Sequence, residues 1–127
     1  MNDVMLFKCN KCGKIIELYT KMCCPTICCG EPMVQLKANS TDAALEKHVP
    51  VVTIREESVH VEIGSVLHPM LEEHHIQFVI LVTDKGYKRV DLHANEKPIV
   101  DFAIAKDEKP LKVYEYCNLH GLWVKEL

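Results

Sequence analysis

Cysteine and histidine are the residues of this chain whose types and spacing could do chemistry. Six of the seven cysteines lie between positions 9 and 29, whereas all seven histidines lie at position 48 or later. Thiolates and imidazoles both bind transition metals, and the thiolate is the softer ligand. Two separate metal sites of different ligand softness are therefore expected along the chain.

Two cysteine pairs predict the first site. Cys9-Asn-Lys-Cys12 places two thiolates on one tight turn, and a following glycine gives the backbone freedom that lets amide groups face the sulfurs. Cys28 and Cys29 supply the second pair, again followed by a glycine. Four thiolates suit zinc or a single iron equally well by geometry, so the metal remains open on this evidence.

A third cysteine pair, Cys23 and Cys24, lies between the other two. Four ligands already saturate a tetrahedral site, so we interpret these two as small residues of a loop. Alternative ligation and a reversible disulfide remain open for them.

A Cys-x-x-His turn predicts the second site. Its spacing lets the Cys117 thiolate and the His120 imidazole point at one ion, and a thiolate with several imidazoles suits iron, copper or zinc. His68 and His74 flank a loop that enters an apolar run beginning at Ile76. Loops that gather at one end of a β-sandwich could bring these four side chains together.

Short extended segments must position these residues. The sequence of residues 6–36 indicates short extended segments that bury little apolar surface. The polar stretch 37–42 is predicted to be a linker. A helical turn at 42–47 is weakly indicated. Beyond it, short apolar and β-branched runs predict about seven strands, with runs at 51–55, 58–66, 76–82, 87–92, 99–105 and 111–116. This pattern favours a mainly β chain that ends in an immunoglobulin-like antiparallel sandwich.

Length and composition argue against some classes of function. A chain of 127 residues has room for one domain, or for a small domain plus a very small one. A net charge of −3 with interspersed signs argues against nucleic-acid binding, and no apolar run reaches the roughly 18 residues of a membrane span. Residues 1–7 carry Asp3 and no basic residue, unlike a signal peptide. The chain is therefore expected to be cytoplasmic.

Along essentially its whole length the sequence resembles the two-domain desulfoferrodoxin type of superoxide reductase. The Cys9-to-Gly13 and Cys28-to-Met33 elements resemble the desulforedoxin-type iron centre of that family. The motifs at 46–50, 64–70 and 116–123 resemble those of the catalytic domain of that family.

This resemblance implies a desulforedoxin-like domain over 1–37 and a catalytic β-sandwich over 38–127. It implies two irons per chain, of which the first is held by Cys9, Cys12, Cys28 and Cys29. The second would have four equatorial nitrogens and one axial sulfur, from His48, His68, His74, His120 and Cys117. Spacing from His68 favours His74 over His75 as the ligand. His60 and His93 match no ligand position and are interpreted as solvent-facing.

The activity that the resemblance implies is one-electron reduction of superoxide to hydrogen peroxide in an anaerobe, with electrons from a rubredoxin-like donor. Lys47 would attract the anion and organise a water for proton delivery. Glu46 would occupy the sixth iron position when substrate is absent. Relatives suggest a homodimer. The alternatives are a non-catalytic metal-binding protein with a structural zinc or iron clasp, and an electron carrier that uses only the four-cysteine centre.

Overall fold

The computed structural model describes residues 4–20 and 23–127. Every strand pairing in it is antiparallel. The chain divides into two compact units between Lys37 and Ala38. Asp3, on which part of the export argument depends, lies outside the described residues.

Five short strands make up the first unit. β1 (Leu6–Lys8) lies between β2 (Ile15–Glu17) and β5 (Val34–Gln35), and β3 (Ile27–Cys28) pairs with β4 (Glu31–Pro32). The buried apolar side chains among its described residues are Leu6, Cys9 and Met33. A core this small contributes little stability, so a cross-link such as a metal site is needed to hold the unit together.

Seven strands make up the second unit, and the predicted antiparallel sandwich is confirmed. One sheet has the order β10-β7-β6 and the other β12-β11-β8-β9. The strands are β6 (Pro50–Ile54), β7 (Ser58–Ile63), β8 (Ile76–Thr83), β9 (Gly86–Asp91), β10 (Ile99–Ala103), β11 (Pro110–Cys117) and β12 (Gly121–Glu126). The bounds of β6 to β11 lie within two residues of the six predicted runs, except that β7 stops three residues early, and β12 was not among those runs.

The core lies between these two sheets. Strand β7 alternates, and its side chains Val59, Val61 and Ile63 are fully buried. β8 lies between β11 and β9 and is buried along most of its length, in agreement with its nearly continuous apolar sequence. The loop that joins β7 to β8 lies at one end of the sandwich and carries His68 and His74.

A single turn of helix, α1 (Leu45–His48), precedes β6. The predicted helical turn at 42–47 is therefore displaced toward the C-terminus, because Ala44 has an extended backbone and begins the helix without a side-chain cap. None of the described helical residues forms a segment long and apolar enough to cross a membrane.

Candidate metal centres

Five donor side chains of the second unit meet at one end of the sandwich. One ligand atom from each lies within 4.8 Å of all the others. They come from α1, from the loop between β7 and β8, and from the turn between β11 and β12. The set is His48, His68, His74, Cys117 and His120. The structure thus brings together every residue that the sequence predicted for the second centre.

The hydrogen bonds of His48 and His68 show which ring nitrogens face the centre. His48 Nδ1 donates to the Ala44 carbonyl at 2.8 Å, and His68 Nδ1 donates to the Pro69 carbonyl at 2.7 Å. Both Nε2 atoms then present lone pairs, yet they lie 3.2 Å apart. Two lone pairs at this distance repel each other unless a cation is bound between them, so this arrangement fits a metal ion.

The four imidazole rings form a closed cycle. Each ring meets the next edge to face, with centroids 4.6 to 5.0 Å apart and planes 76° to 86° apart. The order around the cycle is His48, His68, His74 and His120, so His48 lies opposite His74. The buried His74 Nε2 has no hydrogen-bond partner in the described part of the chain. Such an orphaned nitrogen is expected of a metal ligand.

Burial keeps the donors in the form that binds metal. It lowers the pKa of His68 to about 4, and it lowers the pKa of His48 and His74 as well. These imidazoles are therefore neutral near pH 7.

The thiol of Cys117, the last residue of β11, is fully buried. Burial raises its pKa, and the backbone amides of His120 and Leu119 partly oppose that rise. Its Sγ lies 3.9 Å from His120 Nδ1. A bound cation would displace the thiol proton. The two backbone amides would then donate hydrogen bonds to the thiolate.

Gly64 allows α1 to pack closely on the turn after β7. Its φ is +86°, and an added Cβ would lie 2.5 Å from the Glu46 carbonyl oxygen and 2.7 Å from Lys47 Cα. The Val66 amide donates to the same Glu46 carbonyl at 3.0 Å. This turn ends β7 at Ile63, although the sequence predicted a strand as far as Val66, and it fixes the helix that carries His48.

Lys47 and Glu46 are exposed neighbours of His48. The positive charge of Lys47 is one of the smaller causes that lower the pKa of His48 and of His74, so it lies within electrostatic range of the centre. Glu46 lines a cleft of about 400 Å³ together with Ser65 and Lys125. Lys47 thus lies within electrostatic range of the five-donor group, whereas the cleft that Glu46 lines includes none of the five donors.

The structure also shows that His74 and its neighbour His75 make different contacts. Only His74 belongs to the donor set, whereas His75 Nδ1 donates to the Leu71 carbonyl at 2.9 Å. Of the other two histidines, His60 lies between the carboxylates of Asp101 and Glu62, and His93 is exposed.

Four cysteines of the first unit form a second donor group, with ligand atoms within 4.8 Å of one another. Cys12 Sγ lies 3.6 Å from Cys28 Sγ, which lies 4.0 Å from Cys29 Sγ. The Cys12 amide donates to Cys9 Sγ and lowers the pKa of Cys9 to about 6. Hydrogen bonds with neighbouring thiols raise the pKa of Cys28 to about 12. Such closely packed thiols fit a tetrahedral metal ion.

The third cysteine pair does not belong to this group. Cys23 and Cys24 are both exposed, and they line a separate cavity of about 150 Å³ together with Met33. The four-thiol group is complete without them.

Two interactions near the second centre were not predicted from the sequence. Trp123 stacks on His48, and Asn118 makes three hydrogen bonds to residues 73–75. Both residues belong to the motif at 116–123, but no local pattern indicates what they contact.

Comparison with known proteins identifies the family of the chain. The desulfoferrodoxin family profile matches residues 40–126. The chain belongs to the desulfoferrodoxin family. The match lies within the second unit, which carries the five-donor group.

Two of the similar proteins cover almost the whole chain, and a third covers three quarters of it. A desulfoferrodoxin of Syntrophotalea carbinolica is 44% identical over 121 residues, which cover 95% of this chain and 94% of the relative. The crystal structure of the superoxide reductase from Treponema pallidum is 35% identical, with a TM-score of 0.82 and coverage of 98% and 99%. A superoxide reductase of Pyrococcus abyssi is 34% identical and covers 75% of this chain and 97% of its own length.

Proposed function

We propose that this desulfoferrodoxin is a superoxide reductase, which converts superoxide to hydrogen peroxide at the five-donor centre of the second unit. The observation that carries the proposal is the donor set itself. Four imidazoles and one thiolate leave one position of a six-coordinate ion for a small anion. The similarity to superoxide reductases of other organisms supports the same activity.

We propose that His48, His68, His74, His120 and Cys117 hold an iron ion, which supplies the single electron and the binding position for the anion. The neutral imidazoles keep the net charge of the centre positive, which favours an incoming anion. The thiolate of Cys117 donates electron density to the metal and so tunes how readily the electron is given up.

Lys47 is proposed to attract superoxide and to organise a water molecule that delivers protons to the product. Its charge lies within range of His48 and His74, on an exposed turn that solvent can reach. Glu46 is proposed to occupy the remaining coordination position when substrate is absent. Its place two residues before His48, on the same turn of helix, supports that role.

The first unit is proposed to be a desulforedoxin-like domain over 1–37, followed by the catalytic domain over 38–127. We propose that Cys9, Cys12, Cys28 and Cys29 hold the second iron of the chain. A rubredoxin-like protein is the proposed electron donor. We further propose that the protein is a cytoplasmic homodimer that protects an anaerobic cell from superoxide.

Peroxide stoichiometry tests this function. The iron-loaded chain, reduced without oxygen, is mixed with a pulse of superoxide, and hydrogen peroxide is measured. A reductase forms one peroxide for each superoxide consumed, whereas dismutation forms one for every two. A chain that does not accelerate superoxide loss, or that gives the dismutation ratio, would contradict the proposal. A carrier that used only the four-cysteine centre would leave the five-donor group without a purpose.

A further inference from the structure

Two histidines adjacent in sequence, His74 and His75, lie beside the five-donor centre, and only His74 belongs to it. His74 and His75 are chemically identical, and successive side chains of an extended segment point to opposite sides. A slip of one residue would therefore exchange them. Because either imidazole could bind a metal, some other group must determine which one faces the centre.

The segment from Leu71 to His75 carries part of this restraint itself. The Leu71 amide donates to the His74 carbonyl at 2.9 Å, and the His74 amide donates to the Leu71 carbonyl at 3.1 Å. These bonds close a tight turn. They involve His74 and its own loop only, so they do not fix the loop relative to Cys117 and His120.

Asn118 adds a restraint between the two segments next to the last pair of the β8–β11 ladder, Ile76 and Cys117. Its Oδ1 accepts from the His75 amide at 3.0 Å, and its backbone amide donates to the His75 carbonyl at 3.2 Å. Its Nδ2 donates to the Glu73 carbonyl at 3.0 Å. The three bonds contact the residues on both sides of His74 and come from the residue next to Cys117. They therefore extend the pairing of β8 with β11 beyond its last pair, Ile76 and Cys117, and hold the residues on either side of His74 against the turn that follows Cys117.

We propose that Asn118 is a positioning residue that selects His74, rather than His75, as the fourth imidazole of the centre. The inference rests on the proposed function, since it concerns the same iron site. Without the Asn118 side chain, the loop loses two of its three bonds to the neighbouring turn. His75 then gains access to the metal for part of the time.

Four chains test the selection: the native chain and the variants Asn118→Ala, His75→Ala and the two combined. Each is loaded with iron at full length, and the ferric spectrum and the rate of iron release to a chelator are measured. Asn118→Ala should release iron from the five-donor centre about tenfold to hundredfold faster, the usual effect of losing a group that orients a ligand. His75→Ala alone should leave spectrum and rate unchanged, because the native His75 ring faces Leu71.

The decisive comparison is between Asn118→Ala and the combined variant. If His75 binds the metal in the absence of Asn118, its removal changes the spectrum of the Asn118→Ala chain. Identical spectra in the two chains would overturn the selection role. The release phase of the four-cysteine centre is assigned separately with Cys12→Ser, so the two irons are not confused.

Asn39 provides a matched control. Its Oδ1 accepts from the Val124 amide at 2.9 Å and its Nδ2 donates to the Val124 carbonyl at 3.2 Å, while its backbone amide donates to the Leu122 carbonyl at 2.9 Å. The bonding pattern is that of Asn118, but no partner is adjacent in sequence to a donor. Asn39→Ala should lower the melting temperature and leave iron release close to native. Equal acceleration of release in Asn39→Ala would reduce the role of Asn118 to general stability.

These measurements do not depend on turnover. If the native chain fails to form peroxide from superoxide, the proposed function is wrong while the iron-release and spectral results still test Asn118. If peroxide forms but the spectra of Asn118→Ala and the combined variant coincide, only the selection role is wrong.

Discussion

Trp123 lies against the ring of His48, with centroids 4.9 Å apart and planes inclined by 26°. Its indole Nε1 donates to the His120 carbonyl at 3.1 Å. One buried side chain therefore supports two neighbouring imidazoles of the centre, His48 by stacking and His120 through its backbone. The two contacts can be separated by substitution.

Trp123→Phe should keep an aromatic face toward His48 and lose the bond to His120, at a cost of about 1 kcal/mol in the free energy of unfolding. Trp123→Ala should lose both contacts and leave a cavity, at a cost of about 3 to 5 kcal/mol. Denaturant unfolding and the iron content of purified protein measure both effects. A Trp123→Phe chain with native iron content would show that the hydrogen bond to His120 does not help to hold the centre.

Gly64→Ala should displace α1 and with it His48. The added Cβ would lie 2.4 Å from the Val66 carbonyl oxygen and 2.5 and 2.7 Å from backbone atoms of Glu46 and Lys47, so the turn after β7 and α1 would have to move apart. We expect a loss of more than about 2 kcal/mol in stability together with reduced iron content. Gly86→Ala is the matched control, because its φ of +139° is also positive but its added Cβ meets nothing within 4 Å. Similar losses in both variants would mean that backbone strain, not the contact with α1, is responsible.

Lys47→Ala should slow the second-order reaction with superoxide, by about tenfold at low ionic strength, and should weaken the dependence of the rate on salt. Pulse radiolysis or stopped flow over a series of salt concentrations measures this. Lys106→Ala is the control, since this exposed lysine lies in the loop before β11, at the opposite end of that strand from Cys117. An unchanged rate for Lys47→Ala at every salt concentration would remove the steering role.

Glu115 should make the stability of the chain depend on pH. Its side chain is fully buried, its two carboxylate oxygens have no hydrogen-bond partner among the described residues, and burial raises its pKa well above 4.5. Above pH 4.5 the folded chain therefore binds more protons here than the unfolded chain does. Its contribution to the unfolding free energy falls as pH rises, by at most about 1.4 kcal/mol per pH unit, until the folded pKa is passed.

Glu115→Gln removes this contribution and leaves the metal donors in place. The difference in unfolding free energy between the native and Glu115→Gln chains, measured at several pH values from 5 to 8, isolates the carboxyl group from the titration of the metal donors. The difference should move in favour of Glu115→Gln as pH rises. A difference that does not change with pH would show that Glu115 has the same pKa in the folded and unfolded chains.

The donor set could be predicted because its residue types and short spacings are visible in the sequence. The Cys-x-x-His turn of Cys117 and His120 and the alternation of β7 are local patterns. The contact of Gly64 with Glu46 and the bonds of Asn118 to residues 73–75 join segments far apart in sequence, which no local pattern specifies. The predicted extension of β7 to Val66 failed for the same reason. The β-branched residue continues the strand pattern, but the packing of Gly64 on α1 ends it.

The origin of the five donors has a consequence for how the sandwich assembles. His48 precedes a strand of the three-stranded sheet, His68 and His74 lie on the connection that crosses between the sheets, and Cys117 and His120 belong to a hairpin of the four-stranded sheet. One ion would then join chain positions 20 and 72 residues apart, as His48 is from His68 and His120. Because the donors are brought together only in the folded chain, the free energy of binding the ion would add to the free energy of unfolding. The same ion that reacts with superoxide would thus also hold the two sheets together.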